Sequence, residues 1–120
     1  MNNLEDLEYQ EGQLAVDIWQ TEDEFVIQST IGGVTEDDLE ILAEGETIKI
    51  SGQRKQTHEV PPENYLRQEC YWGKFSRTIV LPEPIDEEKI VATLKNGILT
   101  IVLPKLKKKG APKKISIKKL

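Results

Sequence analysis

The sequence predicts an all-β fold, an immunoglobulin-like antiparallel β-sandwich. Short runs rich in β-branched and aromatic residues recur between positions 14 and 104, with turn-forming residues about every 8–12 positions. Asn96-Gly97, the strongest two-residue signal for a hairpin, joins two of these runs. Apart from single turns, no segment carries the 3.6-residue apolar period of an amphipathic helix.

The predicted strands are separated by clear turn signals. Leu14–Trp19 and Glu24–Ile31 form a hairpin around a polar turn, and Gly32-Gly33 ends the second strand. Thr35 is expected to cap one helical turn over residues 36–38. Further strands are predicted at Leu39–Ala43, Thr47–Ser51, Tyr65–Cys70, Gly73–Pro82, Ile90–Leu94 and Ile98–Leu103. The last of these is apolar on both faces, which predicts that both faces are covered.

Length and charge limit the functional classes. The 120 residues suffice for one domain, and no stretch approaches the roughly 18 apolar residues of a membrane span. Residues 1–13 lack the apolar core of a secretory signal, so the sequence predicts a cytoplasmic protein without a membrane partner. Residues 1–50 carry fourteen Asp/Glu and one Lys, a net of −13, whereas residues 104–120 carry eight Lys and no acid. This asymmetry indicates interaction segments at both ends of the chain.

Candidate catalytic residues lie far apart in the sequence. His58 is the single histidine and is interpreted as a solvated loop residue, and Cys70, the single cysteine, as a part-buried structural thiol. The acidic pairs Asp37-Asp38 and Glu87-Glu88 fall in predicted turns, where solvated charge is ordinary. Gly32-Gly33 lacks the spacing of a phosphate-binding loop. The sequence therefore predicts no enzyme, no cofactor and no metal site.

The chain ends in KKISIKKL, residues 113–120. In an extended segment the side chains of Ile115 and Ile117 project from one face, as they do in a strand that binds by its edge. One alternative is that the two isoleucines are incidental in a solvated tail. Another is a nucleic-acid-binding tail, but the segment has no Arg and no aromatic residue, and the acidic body would repel phosphate. The sequence thus predicts no nucleic-acid partner.

The segment ATLKNGILTIVLP, Ala92–Pro104, resembles the signature of the α-crystallin domain of small heat-shock proteins. Three further stretches are similar to family segments in the same order: Val16–Ile41 with its GV and acidic turn, Ile48–Arg54 ending in Ser-Gly-x-Arg, and Gly73–Pro82 with G-x-F-x-R-x-x-x-L-P. The resemblance divides the chain into a short N-terminal arm (1–13), an α-crystallin domain (14–104) and a C-terminal extension (105–120), with both terminal segments flexible.

The resemblance implies an ATP-independent holdase chaperone that binds unfolding client proteins and prevents their aggregation. It implies a homodimer that assembles into a higher homo-oligomer. An alternative is a CS-type co-chaperone, which shares the sandwich but lacks both the strand-bearing loop and the Ile-x-Ile tail. That module is expected to be monomeric and to bind an ATP-dependent chaperone.

Two sets of site residues follow from the resemblance. In the family, an Ile-x-Ile/Val motif docks in a groove between the strands counted there as fourth and eighth, which implies that Ile115 and Ile117 are the oligomerisation motif. The groove is expected to be lined by Leu39, Ile41, Ala43, Ile90 and Ala92. The long polar loop at 52–64, which contains two prolines, leads to Tyr65–Cys70, a segment similar to the strand that bacterial and plant members exchange between subunits. The dimer interface is therefore expected to include Tyr65, Leu66, Arg67 and Arg77.

Overall fold

The fold is a sandwich of two four-stranded sheets, and the computed structural model describes residues 12–106 and 114–120. Most of the predicted N-terminal arm and residues 107–113 of the C-terminal extension lie outside the described residues. The strands are β1 (Gly12–Gln13), β2 (Asp17–Gln20), β3 (Glu24–Thr30), β4 (Leu39–Glu44), β5 (Thr47–Arg54), β6 (Gly73–Val80), β7 (Val91–Lys95) and β8 (Ile98–Pro104). Single 3₁₀ turns occupy Glu36–Asp38, Pro62–Asn64 and Glu87–Lys89. The predicted all-β sandwich is confirmed.

The order of strands leaves β4 and β7 at sheet edges. The first sheet has the order β1-β6-β5-β4 and the second β2-β3-β8-β7. Neighbouring strands are antiparallel, except that the two residues of β1 run parallel to β6. Each edge strand therefore has one row of backbone N–H and C=O groups without a strand neighbour among the described residues, which suits it to accept an added strand.

The core lies between the sheets and is built by alternate residues of the central strands. Its buried side chains are Leu14, Phe25, Ile27, Ile31, Ile48, Ile50, Phe75, Ile79, Leu81, Ile85, Leu99, Ile101 and Leu103. The prediction that β8 is covered on both faces was wrong for the outer face, where Ile98 is exposed and Val102 is half-buried. The reason is that no third layer of this chain's described residues covers the outside of the second sheet.

The predicted Asn96-Gly97 hairpin is confirmed. Both residues have positive φ, 52° at Asn96 and 75° at Gly97, as a tight two-residue turn requires. The Gly97 carbonyl also accepts a hydrogen bond of 2.6 Å from the Ile31 N–H. The turn thereby fixes the end of β7, one wall of the site described below, to the end of β3.

Two strands differ from their predicted limits by three residues at one end, and the others by one or two residues. β5 continues to Arg54 because Gly52–Arg54 pair with residues 73–75 of β6, so the long loop begins at Lys55 rather than Gly52. β2 begins at Asp17 rather than Leu14, because residues 14–16 connect the two sheets. The Ser29 hydroxyl holds this connection by donating to the Ala15 carbonyl at 2.7 Å.

Arg54 joins three parts of the first sheet's end. Its Nε donates to the Gly32 carbonyl at 2.7 Å and its Nη1 to the Tyr71 carbonyl at 3.4 Å. The guanidinium carbon lies 5.7 Å from the centre of the Phe75 ring, within the range of a cation–π contact. Arg54 therefore ties the end of β5 to the turn before β4 and to the chain entering β6.

Lys105, the first residue after β8, is held by the sandwich. Its ammonium lies 3.0 Å from Glu83 Oε2, 3.0 Å from Gln20 Oε1 and 4.9 Å from the centre of the Phe25 ring. Its N–H donates to the Asp23 carbonyl at 2.8 Å. These contacts fix the position from which the C-terminal extension leaves the domain.

Candidate functional site

A groove runs between the edge strands β4 and β7. It encloses a cavity of about 450 Å³. We call it the edge groove, and its lining residues are Glu36, Leu39, Ile41, Ala92, Thr93, Leu94 and Leu99. An apolar floor between two strand edges is the arrangement that binds an extended peptide, because the edge supplies backbone hydrogen bonds and the floor takes alternate side chains.

The alternation of β4 produces both the floor and the rim of the groove. Leu39, Ile41 and Ala43 are half-buried and pack against the core. Glu40 and Glu44 point to the other face and are exposed. The wall is therefore apolar toward the core, and its solvent face carries these two carboxylates on either side of the exposed Leu42.

The structure brings together three of the five predicted groove residues. Leu39, Ile41 and Ala92 line the edge groove. Ala43 lines a neighbouring cavity of about 830 Å³ beside the β4–β5 turn. Ile90 is half-buried against the core one position before β7 begins.

Four lining residues were missed by the sequence prediction: Glu36, Thr93, Leu94 and Leu99. Leu94 is two positions beyond Ala92, so the period of a strand was sufficient to identify it. Glu36 had no such signal, because it reaches the groove from the 3₁₀ turn that precedes β4 rather than from a strand.

The turn that carries Glu36 is held by Thr35 and Asp38, and the predicted position of Thr35 at its start is confirmed. The Thr35 N–H and hydroxyl donate to Asp38 Oδ2 at 3.1 and 3.0 Å. Lys55 Nζ lies 3.3 Å from Asp38 Oδ1. The pKa of the Asp38 carboxyl lies below its usual value, mainly because the Thr35 N–H and hydroxyl donate hydrogen bonds to it. The nearby Lys55 lowers this pKa further. The turn is thus stabilised with Asp38 ionised.

Gly52 allows the first residues of β4 to lie against β5 and β6. A Cβ atom at this position would be 2.6 Å from the Asp38 carbonyl oxygen and 2.7 Å from Phe75 Cζ. It would also be 3.0 Å from Leu39 Cδ2, and Leu39 is the register partner of Gly52 across the sheet. The absence of a side chain here therefore sets the position of one groove wall.

The tail motif, Ile115–Ile117, pairs with no strand among the described residues. Residues 114–120 lie outside the strands. Ile115 is 82% exposed and Ile117 is 97% exposed. Two β-branched apolar side chains two positions apart are thus available to an apolar surface.

The exchange segment, Tyr65–Cys70, is not a strand in the single chain, contrary to the prediction. A strand requires a hydrogen-bonded neighbour, and this segment pairs with none of the described strands. The Tyr65 hydroxyl accepts from Gln56 Nε2 at 2.7 Å, and Leu66 is fully exposed. Arg67 lies 3.7 Å from Glu69 in a solvent-exposed pair.

Arg77 is half-buried on β6, and β2 lies at a sheet edge. Arg77 Nη1 donates to the Leu14 carbonyl at 3.0 Å, and within the described residues no carboxylate lies at ion-pair distance from it. β2 is the other edge of the second sheet, where Ile18 is 44% exposed and Trp19 is 45% exposed. Its outer edge is open among the described strands.

His58 and Cys70, the candidate catalytic residues, are solvent-exposed. His58 is exposed, as predicted, with Nδ1 3.1 Å from the Thr57 hydroxyl. Cys70 is exposed as well, so the prediction of a part-buried thiol was wrong, because the segment that carries it is not packed on the sandwich.

In the ranges 12–106 and 114–120, no three or more His, Cys, Asp or Glu form a potential metal site. Over the same ranges, no helix is long and apolar enough to cross a membrane.

Comparison with known proteins identifies the fold and its family. The model of the Hsp20/alpha crystallin family matches residues 17–118. The chain is 39% identical over 101 residues to Small heat shock protein C4 of Rickettsia felis, a match that covers 84% of this chain and 61% of that protein's length. Heat shock protein 16.0 from Schizosaccharomyces pombe matches with a TM-score of 0.73 and 32% identity, over 90% of this chain and 100% of that chain. A small heat-shock protein from Xylella fastidiosa matches with a TM-score of 0.71 and 28% identity, over 88% and 96%. The chain belongs to the Hsp20/alpha crystallin family.

Proposed function

We propose that this protein is an ATP-independent holdase chaperone whose dimers assemble into larger oligomers through the C-terminal tail. Membership of the small heat-shock family supports a chaperone role. The observation that carries the proposal is the pairing of an open, apolar edge groove with an exposed Ile-x-Ile motif in the same chain.

The spacing of the tail motif fits the groove. Residues two apart in a strand are separated by about 6.5–7 Å and share a face. This spacing separates Ile115 from Ile117 in an extended tail and also separates Leu39 from Ile41 in β4. A docked tail therefore forms hydrogen bonds with an open strand edge while its isoleucines contact the apolar floor.

One docked tail is weakly bound, which makes assembly depend on several. Burial of two isoleucine side chains contributes roughly 3–6 kcal/mol before costs. Ordering each tail residue costs about 1–2 kcal/mol of backbone entropy. Several tails in one oligomer reinforce each other because each bound tail raises the effective concentration of the next. Such an oligomer releases and regains individual tails readily, which frees apolar surface for unfolding clients.

The dimer in this proposal forms when the exchange segment adds to a partner subunit. Tyr65–Cys70 has no strand neighbour in its own chain, and β2 offers an open edge with the exposed side chains of Ile18 and Trp19. Tyr65, Leu66 and Arg67 then lie at the interface, with Arg77 nearby on β6. The exchange explains why a segment with a strand-like sequence lacks a strand in one chain.

Leu66→Pro is expected to shift the dimer toward monomer. Proline removes the N–H of residue 66 and restricts the residue before it, so the segment loses its regular hydrogen bonding to a partner edge. Native mass spectrometry at decreasing protein concentration measures the change. Glu59→Pro, in the same loop but outside the exchange segment, is the matched control and is expected to remain dimeric. Equal dimer fractions for the two variants would contradict strand exchange.

The holdase activity is tested by heating an aggregation-prone client with the purified protein and no nucleotide. Light scattering by the client is expected to fall with rising chaperone concentration, and ATP is expected to leave the result unchanged. The reason is that exposed apolar surface binds unfolded chains before they associate with each other. Serum albumin at the same mass concentration controls for crowding. Scattering equal to that of the albumin sample would reject the holdase function.

A further inference from the structure

The wall of the edge groove and the tail carry opposite charge. Residues 36–46, which form β4 and the turns at its two ends, contain six Asp/Glu and no Lys or Arg. Residues 113–119 contain four Lys and no acid, placed as a pair on each side of the tail motif. The two segments that meet in the proposed docking are thus the strongly acidic and strongly basic parts of the chain.

The acidic side chains lie at both ends of the groove wall. Glu36 lines the edge groove where β4 begins. Glu44 is the last residue of β4 and lines the neighbouring cavity at the other end. Glu87 is close to this second end, since its Oε1 accepts a hydrogen bond from the Gly45 N–H. The six residues of β4 extend about 17 Å.

The flanking lysines have a similar separation. Four residue steps in an extended chain place the Cα atoms of Lys114 and Lys118 about 13 Å apart. Both lysines are exposed. Their side chains have four-carbon stems, so the ammonium groups have enough reach to meet carboxylates beyond either end of the tail motif.

The acidic rim is available for an incoming cation. Glu36 and Glu44 are exposed and form no salt bridge with another described residue. Two nearby lysines already have carboxylate neighbours, Lys55 with Asp38 at 3.3 Å and Lys89 with Asp86 at 3.9 Å. Lys49 lines the same cavity as Glu44, and on the opposite wall Lys95 ends β7, so these two lysines partly offset the negative charge.

We propose that Lys114 and Lys118 form ion pairs with Glu36 and Glu44 on the groove of a second copy of this chain. This inference rests on the proposed tail docking and explains why the groove selects this tail over other peptides. The isoleucines supply apolar contact that many peptides offer, whereas the lysine pairs select this basic tail over neutral or acidic segments. Ionic strength then sets the fraction of docked tails, because salt screens exposed ion pairs.

The test measures binding of a labelled KKISIKKL peptide by fluorescence anisotropy. The receptor is the 120-residue chain with Ile115→Ala/Ile117→Ala, whose own tail does not compete. Between about 0.05 and 0.5 M NaCl the Debye length falls severalfold, so Kd is expected to rise about tenfold. A peptide with its lysines replaced by alanine is expected to bind more weakly at low salt and with little dependence on salt.

Charge reversal at Glu36 and Glu44 tests whether these two carboxylates bind the lysines of the peptide. Adding Glu36→Lys/Glu44→Lys to the receptor is expected to weaken binding of KKISIKKL about tenfold at low salt. The same receptor is expected to regain affinity for EEISIEEL. Glu59→Lys/Glu63→Lys, which changes the net charge equally in a loop away from the groove, is the matched control. Thermal melting of each variant verifies that it is folded.

The outcomes distinguish the proposed ion pairs from tail docking itself. Binding that depends on the isoleucines but not on salt or on Glu36 and Glu44 would overturn the ion-pair proposal and leave tail docking intact. Equal weakening by the control pair Glu59→Lys/Glu63→Lys would also overturn it, because the effect would then be one of net charge. A peptide that fails to bind even at low salt would reject tail docking itself.

Discussion

Replacement of both Ile115 and Ile117 by alanine is expected to convert the proposed larger oligomers into dimers. Each substitution removes most of an apolar side chain that the docked tail buries, and large-to-small changes at well-packed buried sites cost about 2–5 kcal/mol each. The net binding free energy of one docked tail is smaller than the sum of these two losses, so docking is lost. Native mass spectrometry at matched protein concentration measures the distribution of oligomers.

The matched control for this variant is Ser116→Ala. In an extended segment Ser116 projects from the face opposite the two isoleucines, so its replacement is expected to preserve the wild-type distribution. The double variant is also expected to keep the wild-type Tm of the sandwich, because both isoleucines are exposed in the single chain. Oligomers of unchanged size in the double variant would show that assembly does not use the tail motif.

Gly52→Ala is expected to be strongly destabilising for so small a change. The added methyl group would be 2.6 Å from the Asp38 carbonyl oxygen, a backbone atom that cannot move aside as a flexible side chain does. Overpacking of this kind costs about 1–3 kcal/mol. A loss of 1 kcal/mol lowers Tm by about 4–8 °C in a domain of this size. Differential scanning calorimetry is therefore expected to show a fall in Tm of several degrees or more.

Gly32→Ala provides the control for Gly52→Ala. A Cβ atom at Gly32 would have no neighbouring atom within 4 Å, and the residue is not among the glycines with positive φ. The same chemical change is thus expected to be neutral or slightly stabilising there, since it reduces the entropy of the unfolded chain. Similar losses of Tm in both variants would mean that the close approach at Gly52 is not the cause.

The parts of the fold that are determined by residues close together in the sequence were predictable. The β-branched and aromatic composition of β3 located this strand, and the demand for positive φ at Asn96 and Gly97 identified the hairpin turn between β7 and β8. The same local logic located Leu39 and Ile41 on one face of β4. Each of these features is set by backbone geometry over a few residues, so a short window of sequence contains the information.

Features that depend on distant pairing were not predictable in this way. Gly52 looked like the end of a strand, yet β5 continues because β6 supplies hydrogen-bond partners to Arg54. Tyr65–Cys70 has the composition of a strand but no partner in its own chain. Glu36 reaches the groove through the path of a 3₁₀ turn. In all three cases the deciding neighbour lies elsewhere in the fold or on a second molecule.

The open edge of β4 has a consequence wherever many copies of this protein meet. Unpaired strand edges promote fibre-like association, and many proteins block them with proline or a bulge. β4 contains neither proline nor, in its ladder with β5, any interruption of register. It carries Glu40 and Glu44 instead, so two such edges that approach each other bring like charges together. The acidic edge thus disfavours the pairing of one β4 edge with another and leaves the edge open to a cationic strand.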